Sequence, residues 1–195
     1  MKKGFEDNRS DIEGKPVERM VAGLNEKVQK KDFYLEGSES AEDVVRRAEL
    51  LRLVLNKLEN VSPSIISLYR EVLDSNGVTE EQTGKLSLCV VGGRVHGESQ
   101  LKTWSDIDTV ITAEKPFLST RSVFMSPEEQ ESLPEALLRS GPLKREMMGR
   151  FIEEILPRFS EMVGVDLSEE GIIEIKGYGD QRNQDVKNGL IIYSE

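Results

Sequence analysis

The sequence predicts an α/β (α+β) domain, a small mixed and mostly antiparallel sheet with flanking helices, preceded by an N-terminal helical segment. Three observations predict it. Apolar residues recur at helical spacing through the first third of the chain, the period shifts toward two beyond Lys85, and short β-branched runs then follow, with one more helical stripe among them. At 195 residues the chain has the length of one ordinary domain, or of one domain with an attached helical segment.

Residues 1–16 mix charges with Gly4, Asn8 and Gly14 and show no apolar period, which predicts a flexible tail. Val17, Met20, Val21, Leu24 and Val28 then mark an amphipathic helix ending near Lys30 and Lys31. Ser40 followed by Asp43 resembles a capping box, and Val44, Ala48, Leu51, Leu55 and Leu58 lie on one face of the helix it opens. Pro63 predicts a break, with a third helix running from Ser64 to a stop at Asn76 and Gly77. Leu86 to Val91 reads as a buried strand closed by Gly92 and Gly93, and Ile107 to Thr112 as a second. The Pro-rich stretch 114–142 reads as an insertion, with an edge strand at Ser122 to Met125 and a helix start at Ser126. A helix from about Leu143 to Met162 follows, bent or ended in its regular part by Pro157, and then strands at Gly171 to Lys176 and Leu190 to Tyr193. The division is a tail over 1–16, a helical segment over 17–80 and a sheet-bearing domain over 81–195.

Composition narrows the chemistry. One cysteine, Cys89, and one histidine, His96, exclude an internal disulfide and a His/Cys zinc site, so any metal must be held by oxygen. A net charge of -10 argues against broad binding of a nucleic-acid backbone. No apolar run approaches the roughly 18 residues of a membrane span, and the early lysines are followed by charges rather than a signal-peptide core. The expected compartment is the cytoplasm.

One segment stands above this background: Val90-Val91-Gly92-Gly93-Arg94-Val95-His96-Gly97, a polar loop, then Trp104-Ser105-Asp106-Ile107-Asp108. Glycines after a strand let the backbone turn sharply and present amide N–H groups to a phosphate. Asp106 and Asp108 share one strand face, where paired carboxylates suit Mg²⁺.

These residues resemble the nucleotidyltransferase superfamily with the DNA polymerase β type of fold. Its signature is an apolar residue, Gly, then Gly or Ser, a spacer of roughly nine to thirteen residues, and Asp-apolar-Asp/Glu-apolar. Gly92, Gly93 and Asp106-Ile107-Asp108 match it, over Leu86 to Ala113, and the likeness is closer to the small stand-alone transferases than to the CCA-adding head. The resemblance makes 81–195 a nucleotidyltransferase-like domain. It implies Mg²⁺, or Mn²⁺, at Asp106 and Asp108, with the NTP at Gly92, Gly93, Arg94 and Ser105. It also implies a third carboxylate on a later strand, either Glu174, an acid flanked by Ile173 and Ile175, or Asp166, with Glu174 preferred. The activity implied is transfer of a nucleoside monophosphate from an NTP to an acceptor hydroxyl of a small molecule, a protein or an RNA end, with release of pyrophosphate.

Plainer readings stand beside these. Arg94 could pair with a surface acid, His96 could be an ordinary loop residue, and Trp104 could either stack on a base or pack over the edge of the site. Cys89 reads as inert core. The rival to an enzyme is a catalytically degenerate module of the same fold that binds a nucleotide or a protein partner, with the N-terminal helices as the docking surface.

Overall fold

A single long helix organises the N-terminal half. In the computed structural model, which describes residues 15–92, 100–115, 140–178 and 189–195, α1 spans Pro16–Lys30 and α2 runs unbroken over Ala41–Ser75. Pro16 occupies the first turn, where its missing N–H costs nothing, and Lys31 ends the helix in the left-handed conformation at φ 53°. Val17, Met20 and Leu24 form the buried stripe of α1, which packs on α2. The capping box of α2 forms as its sequence implies: Ser40 Oγ accepts from the Asp43 N–H at 3.2 Å, and the Asp43 carboxylate accepts from the Ser40 hydroxyl at 2.6 Å and N–H at 3.2 Å. The hydroxyl's bond, then the amide's, hold the Asp43 carboxyl below the ordinary carboxylate range.

Pro63 does not break the helix, contrary to the sequence reading; α2 passes straight through it. An interior proline removes one backbone bond, here to the Glu59 carbonyl, and costs about 3 kcal/mol. The ring is exposed, while Leu55, Leu58, Val61, Ile65, Ile66, Tyr69, Val72 and Leu73 continue one buried stripe on both sides of it. Burying each such side chain stabilises by roughly 1.5–3 kcal/mol, so the stripe outweighs the lost bond. The helix stops where expected, with Asn76 as cap and Gly77 at φ 76°.

After the short α3 (Glu80–Thr83) come β1 (Leu86–Val91) and β2 (Ile107–Ala113). The crossover to β3 carries α4 (Ser140–Arg150), a π-helical turn (Phe151–Ile155), α5 (Leu156–Val163) and the one-turn α6 (Leu167–Glu170). Then come β3 (Ile173–Tyr178) and β4 (Leu190–Ser194). The sheet order is β3-β2-β1-β4, with β1 antiparallel to β2 and β4 and β2 parallel to β3. A parallel pair needs a long connection, which the helical crossover supplies. The regular helix is interrupted just before Pro157 by the π turn, where the Leu156 N–H reaches back five residues to the Phe151 carbonyl.

The helical segment and the sheet share one core. The buried face of α2 meets β1, β4, α4 and α5, and a continuous apolar cluster runs from Val17 to Ile175. Among the described residues no helix is long and apolar enough to cross a membrane. Four expectations lie outside the described residues: the 1–14 part of the tail, the Gly93–Gly97 stretch with Arg94 and His96, residues 116–139 of the insertion, and the 179–188 loop.

Because Pro63 is exposed and its neighbours already supply the burial, Pro63→Ala restores a helix bond without disturbing the core. The variant is expected to stabilise the chain by about 1–3 kcal/mol, read from the urea midpoint. A lower midpoint would mean that the proline ring carries packing of its own.

Candidate metal centre

The sheet register brings the acids together. Val91 of β1 lies opposite Asp108 of β2, and Asp108 lies opposite Glu174 of β3. Asp106, two residues before Asp108, falls on the same side because strand side chains alternate, while Ile107 between them is buried in the core. Asp106, Asp108 and Glu174 are each half-buried, and each offers a carboxylate oxygen to a set in which all atoms lie within 4.8 Å of one another. Among the described residues the set is three carboxylates, a hard oxygen donor set that could hold a metal ion.

Gly92 closes the centre on the β1 side. Its φ is 94°, a conformation that L side chains rarely adopt, and a Cβ built there would stand 3.2 Å from Asp108 Oδ2. The turn after β1 is therefore both left-handed and pressed against a carboxylate, and glycine meets both demands.

The helical layer holds the two strand starts in place through Arg47. This residue of α2 is only 7% exposed. Its Nε donates to the Ser105 carbonyl at 2.6 Å, its Nη1 to the Glu170 carbonyl at 2.8 Å and carboxylate at 3.3 Å, and its Nη2 to the Gly171 carbonyl at 3.2 Å. Ser105 immediately precedes Asp106, and Gly171 stands three residues before Glu174. The Ile107 N–H donating to the Ile172 carbonyl at 2.7 Å joins the same two segments. Sequence reasoning passed over Arg47, although its spacing from Val44 and Leu51 puts a guanidinium on the apolar face of α2, where a charge needs partners.

Ser105 is buried, and its Oγ accepts from the Lys102 N–H at 3.0 Å, so the hydroxyl is engaged in shaping the turn before Asp106. Asp166 caps α6 instead of joining the cluster. Its Oδ1 accepts from the Ser168 hydroxyl at 2.6 Å and N–H at 2.9 Å, and these bonds, the hydroxyl's first, hold its carboxyl below the ordinary range. Cys89 is buried with Sγ 3.8 Å from Thr112 Oγ1, and burial pushes its thiol up, away from reactivity. On the helical side, Met20, Leu24, Leu51, Leu55, Val90 and Val91 line a small cleft of about 30 Å³ against Asp106 and Asp108.

Comparison with protein-family models, with curated proteins and with solved structures gave no significant match. The site therefore stands on its geometry.

Two substitutions separate the parts of this arrangement. Arg47→Met keeps an apolar stem like arginine's but removes the guanidinium that donates to the Ser105, Glu170 and Gly171 carbonyls; it should cost roughly 3 kcal/mol or more in urea unfolding and weaken Mn²⁺ binding. Unchanged stability and metal affinity would show the clamp to be dispensable. Gly92→Ala should cost about 1–2 kcal/mol and also lower Mn²⁺ affinity, because the new methyl meets Asp108. Gly37, at φ 61° with nothing within 4 Å of where a Cβ would stand, is the control: Gly37→Ala should lose stability alone.

Proposed function

We propose that the chain is a Mg²⁺-dependent nucleotidyltransferase that moves a nucleoside monophosphate from an NTP to an acceptor hydroxyl and releases pyrophosphate. The observation that carries this reading is the cluster of Asp106, Asp108 and Glu174 beside the left-handed turn at Gly92. A glycine turn at a strand end next to three carboxylates suits the binding of a metal-bound triphosphate.

Asp106, Asp108 and Glu174 would hold the metal, which when bound neutralises charge on the phosphates and polarises the α-phosphorus. Gly92 and Gly93 would offer backbone N–H groups to the triphosphate, and Arg94 its fork of donors. Glu174 would also accept the proton of the acceptor hydroxyl as that oxygen bonds to the α-phosphorus. The bond from the α-phosphorus to the bridging oxygen breaks, and pyrophosphate leaves with the electron pair. Ser105 serves by holding the turn that aims Asp106. The proposed setting is the cytoplasm, and the acceptor is a small molecule, a protein or an RNA end.

Calorimetric titration of each NTP with Mg²⁺ tests this, run on the native chain and on Asp106→Asn/Asp108→Asn. Metal-dependent binding that the double variant loses is the expected result. A folded native chain that binds no NTP would overturn the reading in favour of the non-catalytic interaction module.

A further inference from the structure

Beside the acids stands an aromatic cluster that the proposed chemistry does not use. Trp104 is 54% exposed and Tyr34 43% exposed, and the Lys102 ammonium lies 4.2 Å from the indole centroid and 4.8 Å from the phenol centroid. Each ring face attracts the ammonium, by about 0.5–1 kcal/mol at a site this exposed. The backbone beneath is fixed as well. The Tyr34 N–H donates to the Leu101 carbonyl at 2.9 Å and the Leu101 N–H to the Asp32 carbonyl at 3.0 Å, so the segment after α1 and the segment before β2 are tied side by side. Thr103 Oγ1 donates to the Glu39 carboxylate across the same junction. Leu101 itself is buried, and the turn that follows is held by Ser105 Oγ and by Arg47. The rings are therefore carried by a rigid base rather than by a loose loop.

An indole more than half open to solvent gains little from folding, because its large apolar surface stays wet. The location of this one is informative. Trp104 is two residues from Asp106, so the two Cα atoms are at most about 7 Å apart. A nucleotide whose phosphates meet the acids must put its base roughly one sugar away from them, a span comparable with the separation of Trp104 and Asp106.

We propose that Trp104, braced by Lys102 and Tyr34, is the surface on which the base of the NTP stacks; this rests on the nucleotidyltransferase reading of the acids. The chemistry fits both parts of the ligand. Every base has a π face for the indole, and Lys102 places a positive charge beside the path of the anionic phosphates in a chain whose net charge is -10. Stacking does not read the hydrogen-bonding edge of a base. The site accordingly accepts all four bases and ranks them by stacking area, purines above pyrimidines.

Trp104 is the single tryptophan of the chain, so its emission reports on this surface alone. The full chain with Mg²⁺ is titrated with each of the four NTPs and with tripolyphosphate, following emission and heat together. Expected are quenching by all four NTPs, ATP and GTP most strongly, and binding of tripolyphosphate with no change in emission. Trp104→Ala should weaken ATP binding about tenfold or more while leaving tripolyphosphate binding unchanged, and Trp104→Phe should keep most of the affinity. The proposal is overturned if ATP binds without altering the emission, or if Trp104→Ala binds ATP as the native chain does. A separate arm uses AMP without metal. If neither ATP nor tripolyphosphate binds with Mg²⁺, the reading of the acids has failed; AMP quenching in that case keeps the stacking surface, and its absence removes it.

Discussion

A buried guanidinium from the N-terminal layer joins the two segments from which the acidic centre is built. β2 and β3 are parallel, so no tight turn between them can set their register, and the crossover between them runs through α4, α5 and α6. Register must come from tertiary contacts. Arg47 supplies them at the strand starts by donating to the Ser105, Glu170 and Gly171 carbonyls, which the planar fork of arginine can do and a lysine ammonium cannot. A slip of one residue would turn Glu174 to the opposite face of the sheet and dissolve the three-carboxylate cluster. The helical segment is thus part of the site although it contributes no ligand to it.

The cluster works against the electrostatics of folding. Carboxylate oxygens within 4.8 Å of one another repel by roughly 3 kcal/mol or more per pair at an effective dielectric of about 20, in a chain that already carries a net charge of -10. The rest of the fold supports that arrangement through the long buried stripe of α2 and the core it shares with β1 and β4. A divalent cation would turn the repulsion into attraction. Beside it the chain turns left-handed at Gly92 facing Asp108, a position that only glycine fills without strain.

Much of the fold was legible because it follows from local chemistry. The Ser40 cap, the Asn76-Gly77 stop and the β1 run Leu86–Val91 each announce themselves within a few residues. Pro63 misled because proline's local effect is a break, whereas the outcome was decided by burial on both sides of it. Glu174 stood out over Asp166 as an acid flanked by isoleucines, and the short helix that Asp166 caps was hidden by its length of one turn. Arg47 could have been found from its place on an apolar stripe. The pairing of Tyr34 with Lys102 and Trp104 could not, because it joins segments almost 70 residues apart through backbone bonds that leave no mark in the sequence. Strand order and the parallel β2–β3 pair were hidden for the same reason.

That Asp106, Asp108 and Glu174 form one cation site is open to direct measurement by Mn²⁺ titration, followed by the loss of the free-ion paramagnetic resonance signal. The full native chain is compared with Glu174→Gln and Asp166→Asn, both checked for folding by circular dichroism. The native chain and Asp166→Asn should bind one Mn²⁺ alike, and Glu174→Gln should lose most of that affinity. Equal binding by Glu174→Gln and the native chain, or no Mn²⁺ binding by the native chain, would contradict the site described.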